Sequence, residues 1–88
     1  MQQTRQPNTE IRMLPMPDGT FRPFRGDLLM WKTFDYIQEV YNIEAEWLVN
    51  LANIDVEENG VFFEDAFDNI VAYVCREHDK AAGRPDHF

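Results

Sequence analysis

Positive charge is scarce through most of this chain: from Asp27 to Asp79 only Lys32 and Arg76 stand against thirteen carboxylates. That stretch carries a net −11, residues 1–26 carry +2 and the last nine residues +1, for the −8 of the whole. Phosphate backbones and anionic membrane surfaces are recognised through clustered Lys and Arg, so neither direct nucleic-acid binding nor membrane binding is expected. Cys75 is the single cysteine, which excludes an internal disulfide and points to a reducing compartment. No apolar run approaches the length of a bilayer span, and the opening Met-Gln-Gln-Thr-Arg-Gln-Pro carries no secretion signature, so a cytoplasmic location is the expectation. Histidine is limited to His78 and His87. There is no Gly-rich phosphate loop, no nucleophile elbow, no His-Glu-x-x-His pattern and no Cys/His pairing at zinc spacing, hence no catalytic, cofactor or metal residues to name. The expectation is a protein that binds rather than catalyses.

What the chain does have is apolar material. Its 88 residues are 44% hydrophobic and 14% aromatic, enough for one core without a metal or disulfide staple. Residues 1–10 are polar and read as a disordered arm, and residues 11–88 as a single helical domain. Pro17-Asp18-Gly19 is a turn signal, since Pro presets φ and Gly accepts a positive one. A short β-hairpin or an extended arm over the helices follows from it, with Pro15 and Pro23 confining any strands to edges. Asp27 is placed to cap a first helix, in which Met30, Phe34, Ile37 and Tyr41 make one stripe and Leu29, Tyr36 and Val40 widen it. The margin of this arc, with Trp31 and Tyr36, meets either the N-terminal arm or another molecule. Ile43 to about Ile54 forms a second helical stretch, and with no Gly or Pro at the join, residues 28–53 are either one bent helix or two. Asp55-Val-Glu-Glu-Asn-Gly60 then reads as an acidic turn. The last helix runs from about Phe62 to Ala81, with Phe62, Phe63, Ala66, Phe67, Ile70, Val71, Tyr73 and Val74 across its apolar arc. Cys75 lies on the same side, as a small core residue. The expected architecture is mainly α: a small bundle of two to three helices with an N-terminal arm or hairpin.

The acidic turn resembles the opening of an EF-hand calcium loop. Asp55, Glu57 and Asn59 are oxygen-bearing side chains at alternate positions, Gly60 matches the glycine of the sharp turn, and Phe62 matches the apolar residue after it. The apolar spacing of Trp47, Leu51 and Ile54 before it, and of Phe67, Ile70, Val71 and Val74 after it, agrees. Ala66 stands where the bidentate carboxylate belongs, so the resemblance implies a degenerate calcium-binding protein.

Glu64, Asp65 and Asp68, with Asp79 further on, share the polar face of the last helix, and Glu57 and Glu58 precede them. Like charges three or four apart cost a few tenths of a kcal/mol per pair, and the excess exceeds what solubility requires. Such a face is expected to meet a basic surface on a larger protein, with Trp31 and Tyr36 as its aromatic margin. In composition the chain is similar to the DNA-mimic inhibitors carried by phages, which implies an anti-defence inhibitor occupying a nucleic-acid-handling protein. The alternatives are a structural or assembly subunit that forms a homodimer or larger homo-oligomer through its wide helix faces, and the degenerate EF-hand.

Overall fold

The computed structural model describes residues 8–85. An antiparallel hairpin of β1 (Thr9–Pro15) and β2 (Phe21–Asp27) leads into three helices, α1 (Leu28–Tyr41), α2 (Ala45–Asn59) and α3 (Phe63–Ala81). The chain is thus mainly α with an N-terminal hairpin, as the sequence predicts. Of the arm expected at 1–10, residues 1–7 lie outside the described residues, and Thr9 and Glu10 are already paired in β1.

The hairpin follows from Pro17-Asp18-Gly19. Gly19 sits at φ +87°, and the loop closes through Met16 N–H donating to Thr20 O at 2.7 Å and Gly19 N–H to Met16 O at 3.0 Å. This is the three-residue hairpin loop that ends on a left-handed residue. Asp18 Oδ1 accepts from the Thr20 hydroxyl at 2.6 Å and from its N–H at 3.0 Å, and both bonds hold the carboxyl below its ordinary range. Register pairs Pro23 with Met13. Counting the antiparallel alternation from the Met16–Thr20 bond makes this a pair that exchanges no ladder hydrogen bonds. The missing proline donor therefore faces the free edge of β2 and blunts it against further pairing.

Residues 28–53 are two helices, not one. Asn42 ends α1 in the left-handed conformation (φ 59°, ψ 38°), its N–H returning to Ile37 O; asparagine is the non-glycine residue that tolerates this geometry best. Asp27 does precede α1 but makes no side-chain cap hydrogen bond. The acidic turn expected at 55–60 is instead the last turn of α2. The helix continues because Val56 keeps the spacing of the buried Leu48 and Ala52 and packs on the core. The Asn59 side chain also donates to Asp55 Oδ1 one turn back. Gly60, at φ +68°, is the first residue that can stop it, with its N–H on Val56 O.

One core joins all five elements. Leu14 and Phe24 on the underside of the hairpin meet Met30, Trp31, Phe34 and Ile37 of α1, Leu48, Val49 and Ala52 of α2, and Phe67, Val71, Val74 and Cys75 of α3. Trp31 lies beneath the hairpin, 1% exposed. Its ring meets Phe24 edge-on at 5.8 Å and Phe34 at 5.2 Å, and its Nε1–H donates to Glu10 O at 2.8 Å. Above it the Arg12 guanidinium lies 4.8 Å from the ring centroid and grips Asp35 through two bonds of 2.7 and 3.1 Å. Gly26 makes the approach feasible: a Cβ there would collide with Met30 Cε and lie 2.9 Å from Trp31 Nε1.

Asp79, expected on the polar face of α3, is instead 2% exposed. It falls four residues after Cys75 and eight after Val71, on the inward stripe. Its carboxylate accepts from Tyr36 Oη at 2.7 Å and from Tyr41 Oη, and the Cys75 thiol lies 3.6 Å away. These bonds tie the end of α1 to the end of α3. Burial and the bond to Asp79 hold the Tyr41 phenol above its ordinary value.

Gly26→Ala should lower stability by about 1–3 kcal/mol through overpacking, read as a fall in the urea midpoint. Asp79→Ala, which leaves two phenols without their acceptor, should lower it by about 2–3 kcal/mol; a midpoint unchanged from wild type would show the network to be energetically idle.

Candidate functional site

The link between α2 and α3 is only Gly60, Val61 and Phe62, so the carboxylates that flank it are held close together. Glu57 and Glu58 lie in the last turn of α2, Glu64 and Asp65 in the first turn of α3, and Asp68 one turn further; all five are exposed. Among the described residues the ion pairs are those of Arg12 with Asp35 and Glu10, and none reaches this corner. Arg22 and Arg25 of the hairpin are exposed, and Arg25 donates to Thr9 Oγ1 rather than to a carboxylate of the helices. The hairpin arginines therefore leave the corner charges standing. Negative charge is not confined there, since Glu44 and Glu46 open α2 at its opposite end.

Electrostatics treats the two sides of the corner differently. Glu64 and Asp65 sit at the positive end of the α3 dipole, where carboxylates are stabilised. Glu57 and Glu58 sit at the negative end of α2, whose last turn holds no basic residue, so each opposes its own helix. Between them Phe62 is 76% exposed, the most exposed of the large hydrophobics among the described residues. The sequence places Phe62 on the apolar arc of the last helix. The helix begins at Phe63, however, and Phe62 holds an extended conformation (φ −72°, ψ 146°) that turns its ring off that arc. Phe63 points inward instead, stacking on Phe67 with ring centroids 5.7 Å apart.

The other predicted contact residues are elsewhere. Trp31 is sealed under the hairpin and cannot face a partner, because the N-terminal ribbon takes the margin that another molecule would have used. Tyr36 is half-buried with its hydroxyl on Asp79, so it too belongs to the fold. The calcium-loop resemblance loses its geometry as well. With 55–59 helical, Asp55 and Glu57 point to opposite sides of α2, and among the described residues no three His, Cys, Asp or Glu side chains come together to hold a metal ion. No helix of the described residues is long and apolar enough to cross a membrane.

A groove of about 280 Å³ opens beside Asp68, between the start of α1 and the middle of α3. Met30, Val71 and Cys75 lie buried in its floor, while Asp27 and Asp68 stand at one end and Arg76 further along. Burial, then Asp27, then Asp65 raise the Asp68 carboxyl above its ordinary value. Neither the groove nor Phe62 was legible as a site in the sequence; the one signal was the aromatic residue two positions after Gly60, outside the first helical turn.

Comparison with protein-family models, curated proteins and solved structures returned no match.

Because the folded-state pKa of Asp68 is raised, its protonation favours folding, and that contribution is present in acid and lost as pH rises through the folded value. Asp68→Asn should therefore match wild type near pH 3 and exceed it by a few tenths of a kcal/mol near pH 7, measured as paired urea midpoints. An asparagine variant less stable than wild type at neutral pH would contradict the assigned repulsion.

Proposed function

We propose that this chain is a non-enzymatic binding protein whose α2–α3 corner engages a basic surface on a larger protein. The observation that carries this reading is the combination of Glu57 and Glu58 at the unfavourable end of α2 with an exposed Phe62 between them and Glu64 and Asp65. Carboxylates at a helix C-terminus cost about 0.3–1 kcal/mol each, and an exposed Phe forgoes roughly 1.5–3 kcal/mol of burial. Neither feature helps the monomer fold. Both are useful to a surface that is completed by a partner: the charges steer the encounter and set register, and the ring supplies the apolar anchor. An inhibitor that occupies the nucleic-acid groove of an enzyme is the concrete form of the proposal, since such a groove presents clustered Lys and Arg.

Self-association is a second reading, favoured by the outer face of the hairpin, where Ile11, Met13 and Phe21 are exposed. The broad helix arcs are packed into the core only in part: Met30, Phe34 and Ile37 of α1 and Phe67, Val71 and Val74 of α3 are buried, while Leu29, Val40 and Tyr73 stay exposed. An oligomer that survives high salt in light scattering would support it, and a monomer at micromolar concentration would exclude it.

The corner separates stability from binding. Glu57→Lys/Glu58→Lys should raise stability by roughly 0.5–1 kcal/mol while reducing capture of the partner from an extract of the native host. Phe62→Ser should reduce capture with little change in stability, and capture by the wild-type chain should weaken with added salt. Capture that persists unchanged in both variants would defeat the proposal.

A further inference from the structure

The groove between α1 and α3 is built asymmetrically. Leu29 and Ala72 stand over the buried Met30, Val71 and Cys75, so the stretch between its charged ends is mostly apolar. At one end stand Asp27 and Asp68, whose carboxylates have no hydrogen bond or ion pair among the described residues. Asp27 holds the N-cap position of α1 without using its carboxylate to cap, and that carboxylate is left on the groove rim. Arg76 marks the other end. It is eight residues beyond Asp68 and so about 12 Å away along the helix axis, and among the described residues it neutralises neither aspartate. The hydroxyl of Thr33 in the groove already donates to Leu29 O at 3.0 Å. The polar capacity left at the acidic end is therefore acceptor only.

We propose that this groove seats one arginine side chain of the partner, its aliphatic stem along Leu29, Val71 and Ala72 and its guanidinium bridging Asp27 and Asp68. The proposal rests on the corner reading for the identity of the partner and deepens it by naming the anchor. Charge complementarity selects the occupant: the Asp27 and Asp68 carboxylates both line the groove and have no counterion among the described residues, so an anion is repelled and a neutral apolar group leaves both charges uncompensated. A guanidinium presents five donors in a planar fork, suited to spanning two acceptors, on a stem that gains from apolar contact. Burial, and after it the negative charge of Asp27, raise the proton affinity of Asp68. Asp68 also lies one turn from Glu64 and Asp65, which places the groove beside the acidic corner, where a basic surface would arrive.

The probe is n-butylguanidinium, titrated into the full chain with backbone amide shifts as the readout, and guanidinium and butyrate as controls. The expected result is saturable shifts around Leu29, Asp68 and Ala72 with a Kd of about 1–20 mM, the range open to so small a ligand. Binding should weaken about tenfold, equivalent to 1.4 kcal/mol, in Asp68→Asn and likewise in Asp27→Asn. Guanidinium, lacking the stem, should bind more weakly, and butyrate should produce no saturable shift. The proposal is overturned if n-butylguanidinium does not saturate, if both asparagine variants bind it as wild type does, or if guanidinium binds equally well. This titration needs no partner, so it can succeed while the Glu57→Lys/Glu58→Lys and Phe62→Ser variants both leave capture intact, which would sink the corner reading alone. Conversely, capture lost in the corner variants without any n-butylguanidinium binding would sink the groove alone.

Discussion

The close approach of Trp31 to Gly26 and Glu10 is the constraint on which the rest of the structure depends. A two-stranded hairpin has too little apolar surface to persist alone in water, and three short helices with wide arcs have more apolar surface than they can bury on one another. The indole resolves both problems at once. It fills the space beneath the strands, meets Phe24 and Phe34 edge-on, and satisfies its single donor on a strand carbonyl. Arg12 then closes the stack from above while pairing with Asp35. The bonds to Asp35, followed by that to Glu10, hold the guanidinium above its ordinary pKa, so the clamp stays charged at any pH at which Asp35 is ionised.

A second tie works at the opposite end of α1. Asp79 is a buried carboxylate held by two phenols and a thiol, and it links helices that the chain joins only through α2. Buried ionic groups are uncertain contributors to net stability, but they are costly to break by halves. The consequence here is geometric: with both ends of α1 fixed, the α2–α3 corner is displayed from a rigid base. The features that look wasteful for folding, the Phe62 ring in water and the two glutamates against the α2 dipole, are concentrated where the chain turns between two well-packed helices. Binding groups placed on rigid elements lose less conformational entropy on association than groups on a mobile loop.

Much of the fold was legible because the signals are local. Pro17-Asp18-Gly19 specified the hairpin turn through the φ values it permits, and the apolar spacing of α1 and α3 specified helices through contacts three and four residues apart. The misread segments fail for equally local reasons. Asp55 to Asn59 carries the composition of a turn, yet the packing of Val56 and the Asn59–Asp55 bond hold it helical until Gly60. Asn42, without a glycine or proline nearby, ends a helix because its short polar side chain tolerates the left-handed region.

The sequence by itself determined the mainly helical class, the turn at Pro17-Asp18-Gly19, the charge imbalance and the inward position of Cys75, since each depends on composition or on neighbours within a few residues. Only the tertiary structure decided which parts of the broad apolar arcs face inward. An arc wider than the strip one helix contacts can be rotated either way; packing against the hairpin buried Trp31, and packing of α1 on α3 buried Asp79 and half-buried Tyr36, while Phe62 stayed outside. The groove beside Asp68 is likewise a product of packing, because Asp27 and Asp68 are forty-one positions apart and meet only when α1 lies against α3.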